Sequence, residues 1–134
     1  MLEQMFGPLT ELLKQRVPGL VAVYAFGSQA RGDSTPNSDL DLAVLTPRPL
    51  EPAFRWELQQ ELAIAGGTNV DLVDLRRATT VMRVQVLKDA KILFDGDRGA
   101  RELFEATSLS DYARLNEERR GILADIAARG TVYG

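Results

Sequence analysis

A chain of 134 residues, 45% apolar and 26% charged, has the size and composition of one folded domain. Sixteen Lys and Arg against nineteen Asp and Glu leave a net charge of −3, which argues against a nucleic-acid grip. There is no Cys and no His, so disulfides, thiolate zinc sites, cysteine nucleophiles, imidazole bases and two-histidine metal sites are all excluded.

The longest apolar run covers residues 20–26, far below the roughly 18 residues that span a bilayer. Residues 1–7 carry Glu3 and no basic start, unlike a signal peptide. A cytoplasmic location with no membrane partner is the expectation.

In chain order, Pro8 suits the first turn of a helix reaching Arg16, with Leu9, Leu12, Leu13 and Val17 on one face. Pro18 and Gly19 stop it. Residues 20–26 read as a strand buried on both faces, ended by Gly27. A polar turn cluster at 32–38 leads to a second, alternating strand at 39–45. Three prolines mark residues 46–52 as a connector. Phe54, Leu58, Leu62 and Ala65 recur at helical spacing, and Gly66 and Gly67 end that helix.

Residues 69–75 alternate as a third strand, carrying Asp71 and Asp74. Residues 79–89 predict a helix with Val81, Val84 and Leu87 on one face, followed by a short edge strand at 91–94. From residue 99 to 129 the chain reads as helical. A break is expected near Ser108, where Ser108 and Asp111 fit a capping box. The order α–β–β–α–β–α–β–α predicts an α+β fold, a small mixed sheet with helices packed on one side. Residues 1–97 are expected to form the core, and 98–134 a helical extension of the same domain.

Three features carry chemistry. Gly27-Ser28 follows a buried strand, where glycine lets backbone amides approach an anion. Ser28 adds a hydroxyl, and Arg31 a guanidinium fork suited to phosphate oxygens. Asp39 and Asp41 lie two apart in an extended run, so their carboxylates face one way and invite a cation between them. Hard oxygen donors of this kind suit Mg²⁺ held together with substrate phosphates. Asp71 joins the same face if its strand pairs beside that of Asp39 and Asp41. Asp74, of opposite parity, does not. A phosphate cradle beside three carboxylates fits nucleotidyl transfer assisted by two Mg²⁺ ions, which needs no histidine.

The string Gly27-Ser28-Gln29-Ala30-Arg31-Gly32 through Ser38-Asp39-Leu40-Asp41-Leu42 resembles the signature of the DNA polymerase β-like nucleotidyltransferase superfamily. It also resembles the minimal nucleotidyltransferase (MNT) group and, within it, is similar to MntA-type antitoxins that pair with HepT-type HEPN ribonuclease toxins. The resemblance implies a polymerase β-like fold, ATP as donor, Mg²⁺ as cofactor, and adenylylation of a tyrosine on the partner toxin. It assigns Asp39 and Asp41 as metal ligands. Asp71 becomes the third ligand and helps activate the acceptor hydroxyl, and Gly27 and Ser28 hold the triphosphate. Arg31 and Ser38 belong to the matched string as nucleotide-binding candidates.

Two other functions compete. One keeps the chemistry and changes the acceptor to a small molecule, as in aminoglycoside nucleotidyltransferases, although those usually carry an additional helical domain. The other is an antitoxin that acts by occlusion alone. Elsewhere, Arg76, Arg77, Arg83, Lys88 and Lys91 read as a solvated helix face near a negative site. Tyr112, Leu115, Ile122 and Ile126 form a stripe expected to pack on the chain's own domain, with docking of the toxin or a second copy as the alternative. Trp56 marks a partner contact or the core's edge, and Tyr133 is expected to fray.

Overall fold

A computed structural model describes residues 2–27 and 39–129, and the order of elements is the predicted one. In chain order they are α1 (Leu2–Arg16), β1 (Ala22–Phe26), β2 (Leu40–Leu45), α2 (Pro52–Gly66), β3 (Val70–Asp74), α3 (Thr80–Asp89), β4 (Lys91–Asp95) and α4 (Arg98–Arg129). Tyr133 and the turn cluster at 32–38 lie outside the described residues.

Helix α1 starts more than a turn before Pro8, which sits inside it rather than at its first turn. Phe6, 1% exposed, explains the difference: its ring is part of the core, and that burial outweighs the backbone hydrogen bond a proline forfeits. Helix α2 ends where the glycines predict. Gly67 takes φ 69° and donates its N–H to Ala63 O at 2.9 Å. Helix α3 is capped by Thr79, whose Oγ1 accepts from Met82 N at 3.1 Å. Its buried residue is Val86, while Val81 is 42% exposed, so the helix is rotated from the predicted Val81–Val84–Leu87 face.

The four strands order as β3-β2-β1-β4. β1 lies antiparallel to both β2 and β4, whereas β2 and β3 are parallel and joined through α2, as a parallel pair requires. At the edge, β3 is shielded. Gln59 Oε1 accepts from Leu72 N at 2.9 Å, and Arg55 Nη1 donates to Leu72 O at 3.0 Å.

The mixed α+β sheet is as expected, but the helices do not share one side. Val23, Ala25, Leu42, Val44 and Leu72 pack with Leu9, Leu13, Leu58 and Leu62 of α1 and α2. Ala22, Tyr24, Ala43 and Leu45 pack with Val86 and Phe104 of α3 and α4. Both parities of β1 are apolar, so each face of the sheet needs a covering layer.

Helix α4 is unbroken through Ser108. Its cap is Asp97, whose Oδ1 accepts from Ala100 N at 3.1 Å. Ser108 falls on the buried stripe with Phe104, and Asp111 pairs with Arg114 at 3.0 Å instead of capping. Only the first turns pack on the domain. Of the expected self-packed stripe, Leu115 and Ile122 are 44% and 62% exposed, contrary to that reading, while Tyr112 and Ile126 are half-buried; Leu123, outside the stripe, is 57% exposed. Among the described residues, no helix is long and apolar enough to cross a membrane.

Candidate functional site

The register of the sheet places the acidic residues. Phe26 at the end of β1 pairs with Asp41, and Asp41 pairs with Asp71 across the parallel β2–β3 ladder. Neighbouring strands run about 4.8 Å apart, so two carboxylates sit side by side at one end of the sheet. Asp39, two residues before Asp41, has the same parity. All three therefore belong to the face covered farther along by α3 and α4. Asp39 and Asp71 are exposed and Asp41 is half-buried.

Gly27 closes this corner. Its φ of 75° lies in the left-handed region, and a Cβ built there would collide with Asp41 Oδ2 and stand 3.0 Å from Asp41 Cγ. The backbone leaving β1 thus passes against the Asp41 carboxylate. Only glycine permits that approach. Ser28, Arg31 and Ser38, the other candidate nucleotide contacts, lie outside the described residues.

The structure aligns the three aspartates on one face without closing them into a cage. Among the described residues, no group of three or more acidic side chains is gathered tightly enough to hold a metal ion. The donor chemistry at the corner is nevertheless carboxylate oxygen throughout, which fits a hard divalent cation such as Mg²⁺ and not a soft one.

Asp74, three residues beyond Asp71, has a different fate. It is 4% exposed, its Oδ2 accepts from Leu50 N at 2.8 Å, and its Oδ1 accepts from Arg76 N at 3.0 Å. It fastens the proline-rich connector to the end of β3.

The basic stretch after β3 is not the solvated face expected of it. Arg76 Nε donates to Thr46 O at 2.7 Å, Arg77 Nε to Leu50 O at 2.8 Å, and Arg83 Nε to Leu75 O at 2.8 Å. These arginines cap carbonyls at the sheet end remote from Asp71, and only Lys88 and Lys91 remain as exposed cations of that stretch beside Arg77.

Sequence reasoning missed the network that orients α4. Arg101 donates to Asp95 at 2.9 Å and to Glu105 at 2.8 Å, and Tyr24 donates its hydroxyl to Glu105 at 3.3 Å. Tyr24 is fully buried; burial, then the Glu105 charge, raises its phenol well above the usual range. A lone tyrosine in an otherwise apolar strand was the available signal. Asp95 pairs with Ala22 at the start of β1, and Leu109 lies beside Lys88 and Ala90 near its end. Helix α4 therefore runs toward the acidic end of the sheet. Trp56, on α2, is 58% exposed.

Comparison with known proteins follows the same lines. The family described as "Polymerase beta, Nucleotidyltransferase" matches residues 8–99. The chain is 42% identical over 120 residues to the protein adenylyltransferase MntA of Shewanella oneidensis, covering 90% of this chain and 86% of that one. It is also similar to a crystal structure of a toxin–antitoxin with AMP-PNP. There the TM-score is 0.81 at 41% identity, covering 90% of this chain and 97% of the other. A third relative is the MNT antitoxin in complex with a tri-AMPylated Shewanella oneidensis HEPN toxin. Its TM-score is 0.78 at 38% identity, with 95% of this chain and 99% of the other covered.

Proposed function

Since the chain belongs to the polymerase beta nucleotidyltransferase family, we propose that it is an antitoxin that transfers AMP from ATP to a tyrosine of a cognate HEPN ribonuclease toxin. The observation that carries this reading is the pairing of Asp41 with Asp71 beside Gly27, in a chain 42% identical to a protein adenylyltransferase.

In the reaction, the tyrosine oxygen attacks the α-phosphorus of ATP. A new O–P bond forms, the bond to the β-phosphate bridging oxygen breaks, and pyrophosphate leaves with the electron pair. Asp71, at the exposed edge, receives the phenol proton. Asp39 and Asp41 are the residues that would hold Mg²⁺, with Asp71 as third ligand. Bound there, two such ions would offset charge on the attacking and leaving oxygens. Gly27 and Ser28 cradle the triphosphate through backbone amides and a hydroxyl, with Arg31 and Ser38 as further contacts.

Two features suit a protein acceptor. Among the described residues nothing buries the outer acids of the corner, and Asp39 and Asp71 are exposed. Within the proposed extension of residues 98–134, helix α4 (Arg98–Arg129) runs toward that corner and presents Leu115, Ile122 and Leu123 as apolar surface. The 8–99 family match stops where α4 begins, in keeping with a core of residues 1–97. A cytoplasmic location belongs to the same proposal, and ATP as donor supports it.

The test is transfer of label from α-phosphate-labelled ATP to the cognate HEPN toxin, with and without Mg²⁺. Labelled toxin is expected, abolished by EDTA and by Asp39→Asn with Asp41→Asn. Unlabelled toxin overturns the reading. If the double variant still protects cells as well as the wild type does, occlusion replaces catalysis as the mechanism.

A further inference from the structure

Away from the acidic corner, the sheet ends in a pocket of about 220 Å³ whose lining includes Arg76, Arg83, Phe104, Thr107 and Ser108. Arg76 lies in the turn after β3, whose end at Asp74 is about 10 Å along the strand from Asp71 at about 3.3 Å per residue. Both guanidinium carbons lie over the Phe104 ring, at 5.1 and 5.0 Å from its centroid. That ring holds the two cations in fixed planes and keeps them half-buried.

Neither charge is matched. Among the ion pairs of the described residues, Arg76 and Arg83 have no carboxylate partner, although Arg77, Arg98, Arg101 and Arg114 all do. Their hydrogen bonds go to the carbonyls of Thr46, Leu75 and Arg76, and use Nε of each and one Nη2. The remaining N–H donors of both forks have no partner among those bonds.

Ser108 is the independent sign. It is 1% exposed, lines the pocket, and its Oγ has no hydrogen-bond partner among the described residues. A buried hydroxyl without a partner is uncommon, because leaving it unpaired costs about 1–3 kcal/mol. A mid-helix serine ordinarily satisfies itself on the carbonyl four residues back. Here that option is not taken.

We infer that this pocket is a binding site for a phosphate-class oxyanion, held between Arg76 and Arg83 and by the hydroxyls of Ser108 and Thr107. The chemistry matches: two cations with unpaired donors, a hydroxyl lacking an acceptor, and an acceptor-only ligand. The size matches too, since the volume falls below the roughly 300–1,000 Å³ of pockets that enclose drug-sized ligands. A single phosphoryl group fits, either free or at the end of a nucleotide. The site is distinct from the acidic corner and does not depend on the adenylyltransferase reading.

The experiment is a titration of the full-length, ¹⁵N-labelled chain with inorganic phosphate and, separately, with AMP, in EDTA. Saturable shifts at the Thr107 and Ser108 amides and at the Arg76 and Arg83 Nε signals are expected with phosphate. Tighter binding of AMP assigns the phosphoryl group of a nucleotide as the ligand, and weaker binding assigns free phosphate. Replacing either arginine risks the fold, so two gentler variants decide. Ser108→Ala is expected to weaken binding about tenfold with an unchanged or raised melting temperature. Thr107→Glu, at an exposed helix position, is expected to abolish binding by placing a carboxylate at the mouth. The inference is overturned if neither ligand saturates by tens of millimolar, if only signals around Gly27 shift, or if both variants bind as the wild type does.

Discussion

Asp71 and Asp74 lie on the same five-residue strand and are chemically identical, yet the fold uses them in opposite ways. Asp74 is buried with its oxygens committed to the backbone N–H groups of Leu50 and Arg76. Asp71 is exposed and stands in register with Asp41. A carboxylate whose lone pairs are filled by amides is a structural clamp. One left exposed beside a second carboxylate is the arrangement that the proposed cation site uses. The sheet's two ends differ in the same sense, with acids at one and arginine-capped carbonyls at the other.

The largest effect expected from this contrast is catalytic. Asp71→Asn keeps shape and volume, so stability should stay within about 0.5 kcal/mol, as for most exposed substitutions. Transfer of AMP should fall about a thousandfold, since a lost ligand and proton acceptor forfeits several kcal/mol in the transition state. Single-turnover labelling and urea unfolding of the same preparation give both numbers. A variant that retains transfer removes Asp71 from the site.

Asp74→Ala is the mirror experiment. It leaves the N–H groups of Leu50 and Arg76 without acceptors, and should cost about 2–4 kcal/mol in urea unfolding. Activity per folded molecule should drop far less than in Asp71→Asn. An equal loss in both would dissolve the distinction between clamp and ligand.

Gly27→Ala tests the corner from the backbone side. The left-handed φ costs a non-glycine residue about 1–2 kcal/mol, and the new Cβ must displace the Asp41 carboxylate. We expect a stability loss of that size together with at least a tenfold fall in transfer. Loss of stability without loss of transfer would make Gly27 a turn residue only.

Much of this arrangement could be read from the chain. Parity separated Asp71 from Asp74, and the Gly27-Ser28 to Asp39–Asp41 spacing located the corner. The element order survived intact because each segment's period agreed with its packing. What failed were judgements that depend on tertiary partners. Ser108 and Asp111 spell a capping box locally, but the stripe of Phe104 and Ser108 buries against the sheet and carries the helix through. Pro8 looks like a helix start until Phe6 is seen in the core. The one-sided layer was contradicted by a signal already present: a strand apolar at both parities demands cover on both faces. The arginines after β3 read as surface charge because nothing local shows which carbonyls await them.

The smallest effect concerns another buried polar group with a fixed partner. Tyr24 hydrogen-bonds Glu105, and burial together with that charge raises its pKa in the folded state. The unfolded chain releases the phenol proton near pH 10, whereas the native protein holds it. Below that pH the two states bind the proton equally and the native advantage is complete. Above it the unfolded state is favoured, and stability should fall by about 1.4 kcal/mol per pH unit from this group alone. Urea unfolding of wild type and Tyr24→Phe between pH 8 and pH 11 separates it from other titrations. The difference between the two should be flat below about pH 9 and should shift against the wild type above about pH 10. Parallel curves throughout would mean that the folded protein releases this proton as readily as the unfolded chain, and that the link from β1 to α4 through Glu105 opens in solution.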